Sequence, residues 1–196
     1  RGNIIPGSEE IRVEAKSGTS IRLTIDRDVQ WVAQNAISQA VASSKAKSGT
    51  VIVMDPKTGE ILAQASAPTF DPNVPSTITV DKLNNPSVQE VYEPGSTGKV
   101  ITVAAAMEEG LITPETVFSI PYSMKVSDGI FRDHEKHPTQ RLTTTGLLAV
   151  SSNTGSIQIG QKLGEDNLYK YLTKFGIGQS TNSKLPGESA GILHPV

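Results

Sequence analysis

The chain contains no cysteine. Disulfides, thiolate metal sites and a cysteine nucleophile are therefore excluded. The absence suits an extracytoplasmic protein that avoids stray thiols as well as a cytosolic one, so it leaves the compartment open. Long apolar runs are missing too. The longest strictly apolar stretch is Val103–Met107, whereas a membrane span needs about 20 residues. Neither sign of charge dominates: 18 Lys+Arg face 20 Asp+Glu, a formal net charge of −2. An electrostatic nucleic-acid binder carries a basic surplus, so no nucleic-acid partner is expected. No internal repeat and no low-complexity tract is visible, and no signal peptide follows Arg1. Hydrophobic residues at 36% together with 17 glycines reach the lower edge of ordinary globular usage, which excludes disorder as the overall class.

What is present reads as mixed α and β. Ile11–Ala15 and Ile21–Ile25 alternate and predict short strands. Asp26 offers an N-cap oxygen, and Val29, Val32, Ala33, Ala36, Ile37, Ala40 and Val41 follow at helical spacing, with Gly49 closing the segment. Residues 50–54, a turn through Pro56 and Gly59, and residues 61–65 read as strand, turn, strand. Pro68, Pro72, Pro75, Pro86 and Pro94 then crowd a long ordered loop. A helix is predicted from Ser96 to Glu109, with Val100, Val103, Ala104 and Met107 on one face and Gly110 as its stop. Residues 111–142 read as irregular. Helices are predicted again over 143–150, 155–163 and 165–175.

The chemistry concentrates in Glu93-Pro94-Gly95-Ser96-Thr97-Gly98-Lys99. Ser96 and Lys99 stand three apart at a helix start, on one face and about a turn apart. A serine hydroxyl is a poor nucleophile until a base takes its proton. A lysine amine becomes that base when burial lowers its pKa, and helix N–H groups suit a developing oxyanion. Alone, the pair reads far more readily as a capping serine beside a solvated lysine. Ser151-Ser152-Asn153, which begins 55 residues after Ser96, changes the weighting. It supplies a hydroxyl to pass a proton and an amide to hold a substrate amide. S-x-x-K followed by S-x-N forms part of a known catalytic set.

Glu93-Pro94-Gly95-Ser96-x-x-Lys99 resembles the nucleophile motif of class B penicillin-binding proteins, the peptidoglycan D,D-transpeptidases. The likeness extends to Leu23–Asp26, to Val53–Ala63, to Pro68–Asn73, to Val150–Gly155, to Lys174–Gly178 and to Leu185–Glu188. The stretch Leu185–Leu193 is similar to the septal, cell-division branch in actinobacteria. The resemblance implies an α/β, β-lactamase/transpeptidase-like fold, an antiparallel sheet flanked by helices with the Ser96 helix at its centre. Residues 1–20 would be a linker or the end of a preceding non-catalytic region, and 21–196 the front portion of the transpeptidase domain. Ser96 would be the acylated nucleophile and Lys99 the general base. Ser151 would relay a proton to the leaving amine, and Asn153 would bind the substrate's peptide amide. The Ser96 backbone N–H would form half the oxyanion hole. Implied partners are peptidoglycan stem peptides, β-lactams and cell-wall synthesis or cell-division proteins. No cofactor and no metal is required. The implied location is the extracytoplasmic face of the bacterial membrane, anchored by a segment outside this chain. A non-catalytic penicillin sensor or a structural cell-wall module with the same fold would keep the same motifs.

One family element is missing. A K-[ST]-G motif should follow Asn153, and nothing from there to Val196 matches. Lys47-Ser48-Gly49 and Lys57-Thr58-Gly59 precede the nucleophile and are rejected. The expectation is that residues 1–196 alone do not turn over substrate; release of D-Ala from a stem-peptide analogue by this chain would overturn it. Gly98-Lys99 is no P-loop, since Glu93 and Val100 occupy required Gly and Ser/Thr positions. His134 and His137 are three apart beside Pro138, unlike the four-apart zinc helix motif, and are expected in a polar loop over the cleft. Trp31 and Tyr92 are expected to pack, and Glu93 is either a supporting group at the site or a structural one.

Overall fold

A computed structural model describes residues 15–195. They form two compact units, and the chain passes from the first to the second between Thr69 and Phe70.

In the first unit, helix α1 (Arg27–Ser44) packs on the hairpin of β1 (Gly49–Met54) and β2 (Ile61–Ala67). Asp26 caps α1 as the sequence predicts, its side chain accepting from the N–H groups of Asp28 and Val29. The helix ends at Lys45 in the left-handed region, φ 55°, and not at Gly49, which opens β1. β1 and β2 run antiparallel from Gly49 opposite Ala67 to Met54 opposite Ile61, with a shift at Val53/Met54. The turn closes when Asp55 Oδ1 accepts from the N–H of Lys57 and Thr58. Ala33, Ala63 and Ala65 are buried where helix meets sheet, with Val29, Ile37, Val51 and Val53 around them. Small residues there let the helix lie close. Gln30 both donates to Gln64 O and accepts from Gln64 N, while Gln34 donates to Ser66 O, so helix side chains hydrogen-bond the backbone of β2.

Two further expectations fail in this unit. Residues 21–25 form no strand: Ile21 and Leu23 are exposed. Beyond the side-chain bond of Thr24 to Ile61 O, the segment is tied by Asp26 N to Leu62 O, too little for a ladder. Trp31 does not pack; it lies on the solvent side of α1. The strand predicted over Ile11–Ala15 lies outside the described residues except for Ala15, which is exposed coil.

The second unit opens with short 3-10 turns at Pro75–Thr77 and Val80–Lys82 and with α2 (Pro86–Gln89). A 3-10 turn at Gly95–Gly98 leads into α3 (Lys99–Glu108), so Ser96 sits one turn before the α-helix proper. Residues 111–142 are not irregular. They form β3 (Val117–Ile120), β4 (Ser123–Val126), β5 (Gly129–Arg132) and β6 (Gln140–Thr143), with β3 antiparallel to β6 and β4 to β5. Strands of four residues carry too little alternation to stand out from loop. Helices α4 (Thr144–Ala149), α5 (Asn153–Leu163) and α6 (Glu165–Lys174) follow. Val103, Ala106, Ile112, Ile120, Leu147 and Ile159 form the main core, and Ala105, Leu163 and Tyr171 a second. On α3 the buried face is Val103, Ala105 and Ala106. Val100 and Met107, placed with Val103 on one face by the sequence, are exposed, and Tyr92, expected to pack, is exposed as well. Among the described residues the strands make three two-stranded antiparallel sheets, and no helix is long and apolar enough to cross a membrane.

Candidate active site

The site lies within the second unit, where the start of α3 faces the turn between α4 and α5. Gly95 takes φ 61°, which a residue with a Cβ resists, and turns the chain into the helical bend that presents Ser96 to solvent. Lys99, one turn on, points its ammonium at the facing turn. It donates to Ser151 O at 2.5 Å, Ser151 Oγ at 3.0 Å and Asn153 Oδ1 at 2.6 Å. Ser151 Oγ in turn donates to Ser96 Oγ at 3.0 Å. The four residues singled out in the sequence thus meet in one hydrogen-bonded chain: Lys99 to Ser151 to Ser96, with Asn153 beside it. Among the described contacts Lys99 reaches Ser96 through Ser151.

Ser151 achieves this in the left-handed region, φ 54°. Such a conformation costs a non-glycine residue about 1–2 kcal/mol, and its occurrence at a hydroxyl of the candidate site fits the strain that functional positions hold. Its neighbours hold it there. Ser151 N and Ser152 N bond back to Leu148 O and Leu147 O of α4. Ser152, fully buried, caps α5 by accepting from Gly155 N.

Below this turn lies Asp133, directly after β5, which the sequence reading did not single out. Its Oδ1 accepts from Asn153 N at 2.6 Å and Thr154 N at 2.9 Å; its Oδ2 accepts from Ser152 Oγ at 2.8 Å and meets His137 Nε2 at 3.0 Å. Asn153 Nδ2 donates to Arg132 O at 2.7 Å, so both ends of the asparagine side chain are fixed. The only local sign of Asp133 was its place beside the His134–His137 run. His137 lies in the loop between β5 and β6, as the sequence predicts for this run. It stands against Asp133, with the Tyr122 ring edge-on to it at 6.0 Å. Among the described residues no group of three or more His, Asp or Glu side chains is placed to hold a metal. Glu93 is exposed.

Burial lowers the Lys99 pKa from its ordinary 10.5, and the negative charge of Asp133 works against that fall. Burial pushes the Asp133 carboxyl up, but the bonds from Thr154, Ser152, His137 and Asn153 together bring it below its ordinary value. A cavity of about 430 Å³ opens beside the site, walled by Thr102, Phe131, Ser156 and Leu168 and reaching Lys99 and Asn153.

A serine at a helix start, joined through a second serine to a partly buried lysine, has the make-up of a candidate serine-nucleophile site. The penicillin binding protein transpeptidase domain matches residues 49–195 of this chain, and the chain belongs to that family. Over all 196 residues it is 42% identical to penicillin-binding protein PbpB of Mycolicibacterium smegmatis, covering 30% of that protein. It is 34% identical over 195 residues to the probable peptidoglycan D,D-transpeptidase PenA of Neisseria flavescens, covering 98% of this chain and 48% of that one. Penicillin binding protein 3 of Mycobacterium tuberculosis, solved in complex with ampicillin, superposes over 95% of this chain and 41% of its own at a TM-score of 0.87 and 39% identity. The chain thus spans less than half the length of these relatives.

Proposed function

We propose that this chain is the front portion, residues 21–196, of a septal-type D,D-transpeptidase domain, with residues 1–20 linking it to a preceding region. The observation that carries the reading is the Lys99–Ser151–Ser96 chain of hydrogen bonds. In the reaction Lys99 in its neutral form draws the Ser96 proton through Ser151. Ser96 Oγ then attacks the carbonyl carbon of the penultimate D-Ala of a stem peptide, while Asn153 holds the peptide amide and the Ser96 N–H receives the developing oxyanion. The C–N bond breaks, the proton returns through Ser151 to the leaving D-Ala amine, and an ester remains on Ser96. An amine of a second strand attacks that ester, forming the cross-link and restoring the Ser96 hydroxyl. The lowered Lys99 pKa supports the base role, because a base works best when its pKa approaches the working pH.

β-Lactams acylate the same serine. The PbpB likeness supports a place at the extracytoplasmic face of the cell membrane, tethered by a segment outside this chain, among proteins of cell-wall synthesis and division. Intact-mass spectrometry after exposure to benzylpenicillin tests the reading. One penicillin is expected on wild type and none on Ser96→Ala. If neither this chain nor the full-length protein gains mass, the enzyme reading falls and a structural module of the same fold takes its place.

A further inference from the structure

We propose that Asp133 is a positioning residue of this site: its carboxylate sets the Ser151–Asn153 turn against Lys99, and His137 clamps that carboxylate in place. The inference rests on the reading of Ser96 as nucleophile and Lys99 as base.

The geometry carries it in three steps. A carboxylate offers about four acceptor positions. Those of Asp133 are taken by Ser152 Oγ, Asn153 N, Thr154 N and His137 Nε2 at 2.6–3.0 Å, with Thr154 Oγ1 at 3.5 Å as a fifth, outer contact. Three of these partners are consecutive residues of the turn. One of them is the N–H of Asn153, whose Oδ1 lies 2.6 Å from Lys99 Nζ; another is the hydroxyl of Ser152, bonded in sequence to Ser151. Any tilt of Asp133 therefore moves Ser151 Oγ and Asn153 Oδ1 together, the two side-chain atoms that Lys99 touches. Second, Asp133 takes N–H groups at the start of α5 that lack partners within the helix. Its negative charge there also favours the helix dipole. Third, the position of the carboxylate is over-determined. Asp133 N donates to Tyr122 O at 3.0 Å. His137 is held from its other side by Pro138 O at 2.7 Å and flanked by the Tyr122 ring.

The charge matters as well as the shape. Among the described residues, His137 bonds Asp133 from its own loop, where His134, Glu135 and Lys136 line the same cavity; Lys99 on α3 feels its charge, and α5 presents neutral Ser152, Asn153 and Thr154. Asp133 favours the Lys99 ammonium and burial disfavours it, so the carboxylate sets where Lys99 becomes a free base. Converting it to an amide removes that support and lowers the Lys99 pKa further.

The test is the rate of Ser96 acylation by benzylpenicillin in the full-length protein, followed from about pH 5 to about pH 10. Asp133→Asn is expected to slow acylation about tenfold or more, the scale of one lost charge-assisted hydrogen bond. The acid limb of its pH profile is expected to move to lower pH. A merely structural aspartate would change the melting temperature and leave the limb in place, and that result overturns the proposal. So does an acylation rate within about twofold of wild type. Should Asp133→Asn fail to fold, His137→Ala decides. Slower acylation at an unchanged melting temperature supports the clamp, and an unchanged rate overturns it. If wild type takes up no benzylpenicillin at Ser96, the transpeptidase reading itself falls, and no variant is needed to see it.

Discussion

Ser151 donates its hydroxyl to Ser96 Oγ at 3.0 Å from a backbone held at φ 54°. The two residues are 55 apart in sequence, and the contact exists because the α4–α5 turn is bent into a conformation serine resists. Strain and chemistry therefore fall on the same residue.

Ser151→Gly separates them. Glycine takes positive φ without penalty, so the fold is expected to gain about 1 kcal/mol, while the proton path between Lys99 and Ser96 is lost. Thermal melts should show a higher midpoint, and benzylpenicillin acylation should drop sharply. A variant that is both less stable and fully reactive would contradict the account of this turn.

Lys99→Arg keeps a cation and several donors at the same place but cannot give up a proton near neutral pH. Acylation of Ser96 is expected to fall by about 100-fold or more, the range of general-base removal. The wild-type profile should rise with pH toward a Lys99 pKa below the ordinary 10.5. Stopped-flow acylation of both forms across pH would show it.

Gly155 and Gly160 lie in the same helix and should respond oppositely to alanine. A Cβ on Gly155 would stand 3.0 Å from Ser152 Oγ, 3.1 Å from Ile120 and 3.3 Å from Leu147, all fully buried. Overpacking costs about 1–3 kcal/mol and outweighs the helix-propensity gain of up to about 1 kcal/mol. On Gly160 the nearest atom is Thr102 Cγ2 at 3.8 Å, so the propensity gain stands alone. Denaturant titrations of the two variants should move the midpoint down for Gly155→Ala and up for Gly160→Ala.

A third pair ties α6 to the end of α3. Tyr171 donates to Glu109 Oε1 at 2.8 Å, and Lys170 reaches the same oxygen at 3.2 Å. Those bonds, Tyr171 first and then Lys170, lower the Glu109 pKa. The bond to Glu109, with burial, raises that of Tyr171 to about 12. A depressed carboxyl stabilises above its unfolded value of 4.5 and loses that as pH falls through the folded value. A raised phenol stabilises fully below 10.0 and loses that as pH rises through about 12. Tyr171→Phe should therefore melt lower than wild type between these limits and converge with it beyond them. Melting temperature against pH for both proteins is the measurement.

Much of the candidate site was legible in the amino-acid sequence. Ser96, Lys99, Ser151 and Asn153 carry side chains whose chemistry is local and whose spacing suits helix starts. Asp26 and Gly110 marked helix ends because caps are decided within a few residues. The residue pattern also gave away the β1–β2 hairpin, whose turn is built from Asp55, Pro56 and Gly59 and whose strands are rich in β-branched and small apolar residues. The four strands between Val117 and Thr143 were not legible: at four residues each they leave too little period of their own, whether the partner is near, as for the β4–β5 hairpin, or farther along the chain, as for β3 and β6. Asp133 was invisible because its partners are remote in sequence. Nothing beside it in the chain shows that Ser152, Asn153 and Thr154, about twenty residues on, will turn their donors toward it. The amino-acid sequence by itself determined which groups can react. Only the tertiary structure decided which of them meet, because the bonds among Ser96, Lys99, Asp133 and the Ser151–Asn153 turn form when packing brings distant segments within hydrogen-bond reach.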